Sequence, residues 1–203
     1  MTGLFARARE VRTRWDVLRH PFYQRWSRGE LAPAELAFYA GQYRHAVVAL
    51  ADAAGHAGDG SHAEEERSHV SLWDGFLEFA GGDLAATPIP ETLACAAAWS
   101  DPDRDLVTTL AALYAIEAAQ PAISETKRAG LLAHYGASPD SAATGYFDVH
   151  AVLDLAHAGQ GWKRLEAVMD PADEPRVVAE VERVLEANWR LLDGVQARAA
   201  GPA

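Results

Sequence analysis

The segment YFDVHAVLDLAH, residues 146–157, decides how this chain is read, because His150, Asp154 and His157 fall at i, i+4 and i+7. At about 100° per residue, that spacing brings three side chains to within about 60° of one another on a helix surface. Two imidazoles and a carboxylate on one stripe offer nitrogen and oxygen donors to a transition metal, a ligand set familiar from non-haem iron proteins. Val149, Val152, Leu153 and Ala156 surround the stripe, so we expect it to face away from open water. Ionisable groups set among apolar neighbours need partners or a metal. The competing reading is an ordinary polar helix face.

Outward from that segment, amphipathic stretches alternate with short polar breaks, and no β-branched run keeps a strict two-residue alternation, so the fold class is all-α. Helices are expected over about 3–18, 22–27, 33–57 and then from the glycine- and aspartate-rich 55–60 break to Gly81-Gly82. Further helices are expected over about 89–99, 104–134 with a bend near Pro121, 139–160 and 174–199. With 203 residues, 49% hydrophobic, and no repeat or long linker, the chain suits one domain spanning 1–203.

Bulk properties exclude several function classes. The net charge of −11 disfavours nucleic acid and anionic membrane as partners, which leaves a small molecule or a protein. No run of about 18 apolar residues is evident, and MTGLFARAREVRTRW lacks a signal-peptide apolar core, so a cytoplasmic location is expected. The single cysteine, Cys95 in TLACAAAW, forms no internal disulfide and reads as a small buried residue. His20 and His134 are expected near helix ends, and His45 and His56 as ordinary helix residues.

Two other segments offer ligands. In HAEEERSH, Glu66 and His69 stand at i and i+3, the pairing by which four-helix carboxylate proteins present a carboxylate and an imidazole to paired irons. Glu65 and His62 lie four and seven residues before His69, and Glu64 reads as solvated. Glu117, in LYAIEAAQP, sits among apolar residues where a lone carboxylate is expensive to bury. A single structural zinc fits poorly, since the inventory is rich in carboxylates and lacks a cysteine pair; two irons, or iron with manganese, fit better.

On these motifs, together with HPFYQRWSRGEL, FYAGQY, HVSLWDGF and YAIEAAQPAISETKRAGLLAHYG, the chain resembles the haem-oxygenase-like dimetal oxidase superfamily. That superfamily shares its helical bundle with the TenA and PqqC enzymes, and the nearest branch is the CADD-like para-aminobenzoate synthases. The resemblance implies a non-haem dimetal oxygenase or oxidase that uses dioxygen and an external reductant, binds no haem and forms a homodimer. It also implies His69, Glu117, His150, Asp154 and His157 as metal ligands. In this branch the enzyme consumes one of its own tyrosines and takes the amino group from a lysine. Tyr23 in HPFYQRW and Lys127 in ETKRAGL occupy the matching places, with Tyr39, Tyr43 and Tyr146 as further aromatic candidates. One departure stands out: the branch places a metal-binding glutamate several residues before the histidine equivalent to His69, within Glu-Glu-x-x-Gly. Here the first carboxylate ligand is Glu66, Glu65, or replaced by His62, with Glu66 favoured by its spacing. The alternatives are a TenA- or PqqC-like metal-independent enzyme of cofactor metabolism and a non-enzymatic helical interaction protein.

Overall fold

Prolines and acidic caps set the helix starts. Pro21, Pro33, Pro90 and Pro121 each stand in a first turn, where the missing N–H removes no helical hydrogen bond. Asp59 accepts a bond from the His62 backbone N–H, and Asp105 from that of Thr108, so each satisfies an otherwise orphaned donor. The computed structural model describes residues 2–199. It contains α1 (Thr2–Arg14), α2 (Pro21–Ser27), α3 (Pro33–His56), α4 (Gly60–Phe79), α5 (Pro90–Trp99), α6 (Leu106–Glu117), α7 (Gln120–His134), α8 (Gly145–Val168) and α9 (Glu174–Ala199). No strand occurs among the described residues, as the all-α reading expects.

Three of the expected helices differ from the sequence expectation. The first helix ends at Arg14, and a 3₁₀ turn at Val17–Arg19, capped by Asp16, follows it. The stretch expected as one bent helix over 104–134 is two helices. Pro121 has no N–H to give the Glu117 carbonyl, and its ring crowds that carbonyl, so α6 stops at Glu117. The neighbouring Ala118 carbonyl accepts a bond from the Arg12 guanidinium of α1. The third difference is α8, which starts at Gly145 rather than 139 because the segment before it turns, with Asp140 in the left-handed region at φ 55°. It also runs on to Val168 through Gly159 and Gly161, since Trp162 and Leu165 continue its buried face. By composition Leu106–His134 is long and apolar enough to cross a membrane, contrary to the sequence expectation. It is nonetheless broken at 118–119, and 72% of its most apolar window is buried in the bundle.

The helices pack as one bundle. Buried positions of α9 recur at Val177, Val181, Val184, Leu185, Leu191, Leu192 and Val195, a 3.6-residue stripe that covers α1, α5 and α6. On the other side α8 packs against α4, α6 and α7, and α3 pairs with α4. Between them lies an aromatic core that includes Phe22, Tyr23, Trp26, Tyr39, Tyr43, Trp73, Phe76, Tyr146 and Phe147. Burial of each large side chain contributes on the order of 1.5–3 kcal/mol.

Two contacts fix α2 within this core. Arg25 makes a forked pair with Glu35 at 2.7 Å on each arm, tying α2 to the first turn of α3. Trp26 Nε1 donates to the Lys127 carbonyl of α7 at 3.1 Å. The indole lies over Gly130, where a Cβ would fall 2.5 Å from Trp26 Cδ1. Gly130→Ala should therefore force the indole off α7 and destabilise the fold by about 1–3 kcal/mol. That loss corresponds to a melting-point drop of roughly 2–12 °C. Thermal unfolding followed by circular dichroism checks it, and an unchanged midpoint would contradict this packing.

Candidate metal centre and the adjoining aromatic cage

Two helices face each other with the same spacing of donors. On α8 the order is His150, Asp154, His157; on α4 it is His62, Glu66, His69, again at i, i+4 and i+7. The imidazoles meet in pairs, with ring centroids 4.6 Å apart for His62 and His157 and 4.7 Å for His69 and His150. Glu66 lies among them. Its Oε2 is 3.4 Å from His69 Nδ1, and its Oε1 is 3.6 Å from His62 Nε2. Glu117, held at the end of α6 by the proline break, brings Oε1 to 3.3 Å from His62 Nε2. Asp154 Oδ2 accepts from His150 Nδ1 at 2.9 Å, and its Oδ1 lies 3.7 Å from His157 Nδ1.

Ligand-capable atoms of Glu66, His69 and His150 lie within 4.8 Å of one another, and so do those of His62, Glu66 and His157. Glu66 belongs to both groups. The first group is wholly buried, while His62 and His157 are partly exposed. Of the residues expected as ligands from sequence, Glu66, His69, Glu117, His150, Asp154 and His157 all converge here. Glu65 lies at the rim, 37% exposed at the side chain, with Oε2 3.4 Å from His157 Nε2. Glu64 is exposed, as expected for a solvated position. His62, one of the three alternatives for the first-carboxylate position, is inside the cluster. The repeated His-x3-acid-x2-His spacing on α4 was the signal that could have placed it there.

One premise of the sequence reading needs correction. Val152 is 68% exposed and Ala156 is exposed, so the neighbours on α8 do not bury the stripe. The opposing helices α4, α6 and α7 do.

The centre is electrostatically tense. Burial opposes ionisation of Glu66, but His62 and His69 outweigh it and hold the carboxyl down to about 2. Burial, reinforced by Asp154 and Glu66, pushes Glu117 up to about 8. The Asp154 contact raises His157 to about 9, with Glu117 and Glu65 adding to it. For His62 burial works downward, yet Glu66 and Glu117 carry it above its ordinary value. Buried atoms Glu66 Oε1, Glu117 Oε1, Asp154 Oδ1, His62 Nε2, His150 Nε2 and His157 Nδ1 have no hydrogen-bond partner. Each such orphan costs about 1–3 kcal/mol, unless a metal takes its lone pair. These donors fit a pair of divalent ions: imidazole and carboxylate suit iron or manganese, and no thiolate takes part.

Beside the centre stands an aromatic cage. The Tyr146 ring is 4.1 Å from that of His150 and 5.0 Å from that of Trp73. Beyond Trp73, Lys127 Nζ lies 4.5 Å from the Tyr43 ring, 5.2 Å from Tyr23 and 5.4 Å from Tyr39. Burial drives the Lys127 amine well below the ordinary lysine range. Tyr23 and Tyr39 join their hydroxyls at 2.8 Å, and burial raises both phenols. Cys95 is also fully buried and its thiol is pushed up by burial, which suits the small buried residue expected from the sequence rather than an activated nucleophile. His20 caps α2, accepting from the Phe22 N–H, and His45 Nε2 meets the Ala86 carbonyl, so both serve structure.

Known proteins bear on this arrangement. Residues 56–189 match the family described as iron-containing redox enzyme. A 4-aminobenzoate synthase of Nitrosomonas europaea is 32% identical, over 88% of this chain and 85% of that protein. Another, from Chlamydia muridarum, is 30% identical over 87% of this chain and 83% of that one. Among solved structures, a domain of unknown function with a haem-oxygenase-like fold from Shewanella denitrificans superposes with a TM-score of 0.77 at 23% identity, covering 93% of this chain and 90% of that one. A TenA homologue from P. horikoshii gives 0.75 at 15% identity, covering 97% of each chain. At those identities the two structures speak for the fold alone. The chain therefore has a haem-oxygenase-like helical fold and belongs to the family of iron-containing redox enzymes.

Proposed function

We propose that this chain is a non-haem dimetal oxygenase or oxidase of the 4-aminobenzoate synthase type, which consumes its own Tyr23 and takes the amino nitrogen from Lys127. Glu66, His69, Glu117, His150, Asp154 and His157 would hold two irons, or iron with manganese. Such a pair, when bound and reduced, supplies electrons to dioxygen and so provides the oxidising power the aromatic chemistry needs. The observation that carries the reading is the juxtaposition of buried, unpartnered metal donors with a caged lysine and tyrosine, one aromatic layer apart.

The protein's own groups suit that chemistry. An amine attacks an electrophilic ring only with a free lone pair, and burial of Lys127 favours that neutral form. Tyr23 keeps its phenolic proton and has a hydroxyl neighbour, Tyr39, to receive or return it. The rings around Lys127 exclude water that would otherwise compete for an oxidised phenol. The relatives' name, 4-aminobenzoate synthase, supports para-aminobenzoate as the product.

Wild-type protein given ferrous iron, dioxygen and reductant should release at most one para-aminobenzoate per chain, read by liquid chromatography and mass spectrometry. Tyr23→Phe should consume oxygen without releasing product. Product from that variant would exclude Tyr23 as the sole precursor, and many turnovers per wild-type chain would exclude self-consumption. His150→Ala, which removes an imidazole from the fully buried group, should abolish oxygen consumption. An unaffected rate, measured with an oxygen electrode, would contradict the ligand assignment.

Lys127 also makes a stability prediction. The unfolded chain holds this proton up to the ordinary 10.5, whereas the folded chain releases it at lower pH. The unfolded state therefore binds more protons in between, and stability rises with pH across that window. Lys127→Met should be more stable than wild type at pH 7 by urea unfolding, and its advantage should shrink toward pH 10. An advantage independent of pH would show that Lys127 is charged in the fold.

A further inference from the structure

We infer that His62 is a metal ligand, and that it makes the centre two unequal subsites sharing Glu66: a sealed inner one and an exchangeable outer one. This rests on the dimetal reading above and goes beyond its ligand set. The inner subsite comprises Glu66, His69 and His150 and is fully buried. The outer one comprises His62, Glu66 and His157, with Glu117 beside His62.

Three observations carry the assignment. First, α4 and α8 present the same His-x3-acid-x2-His spacing, and the helices meet so that each imidazole of one faces an imidazole of the other. His62 stands to His157 as His69 stands to His150. If His69 and His150 bind a metal together, the same geometry is offered by the other pair. Second, His62 Nε2 points between Glu66 Oε1 and Glu117 Oε1 at 3.6 and 3.3 Å, and none of the three atoms has a hydrogen-bond partner. Both carboxylates are almost completely buried. A direct hydrogen bond from His62 would leave at least one of these two oxygens unpaired, whereas a cation among the three atoms satisfies all of them.

Third, the two subsites differ in access. A cavity of about 220 Å³ is lined by His62, Glu65, Glu117 and His157, with Asp59 and Arg164 also on its walls. None of its lining residues belongs to the inner group, and Glu66, which the two subsites share, is not among them. The outer position is therefore the one reached from solvent. Glu65, half-exposed at the rim, lies 3.4 Å from His157 Nε2 and orients that ring while leaving Nδ1 to face inward. In this chain an imidazole replaces the carboxylate that the related branch places before the histidine, and Glu66, one turn further along α4, serves as the carboxylate common to both metals.

The test uses full-length protein loaded anaerobically with ferrous iron and freed of excess by gel filtration. Iron per chain is measured by plasma mass spectrometry, and its removal by a ferrous chelator is followed by absorbance. Wild type should hold two irons and lose them in two equal phases that differ about tenfold or more in rate. His62→Ala should hold one iron, lost with the slow phase, and His62→Glu should hold two. Circular dichroism of the apo-variants checks that they are folded. His62→Ala retaining two irons with both wild-type phases would overturn the inference, and so would loss of both irons from that folded variant. Should neither variant fold, the wild-type trace decides: a single release phase overturns the unequal subsites. Wild type that binds no iron would overturn the dimetal reading itself, and the role of His62 with it.

Discussion

Glu66 is buried between imidazoles from two helices, and the cluster of donors is built around that one carboxylate. It is held ionised by His62 and His69, while Asp154 and Glu117 stand nearby with oxygens that nothing in the protein satisfies. Burial of three carboxyl groups so close together opposes folding unless positive charge or hydrogen-bond partners accompany them. Partial relief comes from imidazolium at His157, but the orphaned atoms remain. Divalent ions at this point would satisfy the donors and tie α4, α6 and α8 together, so that metal binding and folding stability would be linked.

The cage around Lys127 is a second constraint of the same kind. A lysine stem packs well among Tyr23, Tyr39, Tyr43, Trp73 and Phe147, but an ammonium does so only with loss of its hydration. The fold resolves this by favouring the neutral amine. A buried amine is thereby held next to a phenol, and the two buried polar systems meet at an aromatic wall formed by Tyr146 and Trp73. The Arg25–Glu35 pair and the Trp26 indole keep α2, and with it Tyr23, in register against α3 and α7.

Much of this was legible in the chain, for local reasons. Helical periodicity marks the elements, and the i, i+4, i+7 spacing of His150, Asp154 and His157 requires no tertiary knowledge to be seen as one stripe. Pro121 signals an interruption after Glu117, though not whether the helix bends or ends. The AEEE run was harder, because burial changes within three residues: Glu64 is exposed, Glu65 half-exposed and Glu66 buried, and only the packing of α4 against α8 selects among them. The end expected near 160 falls between Gly159 and Gly161, yet the buried positions Trp162 and Leu165 carry α8 through them. The cage is the least local feature, since its residues come from α2, α3, α4, α7 and α8, and no spacing within one segment reveals that they meet.

Anomalous diffraction at the iron edge, from crystals of protein loaded anaerobically with ferrous iron, tests the central claim most directly. Two peaks per chain are predicted between α4, α6 and α8, with the Glu66 carboxylate between them and the orphaned oxygens of Asp154 and Glu117 turned toward them. Absence of any peak among these residues, or iron bound only at the molecular surface, would contradict the account.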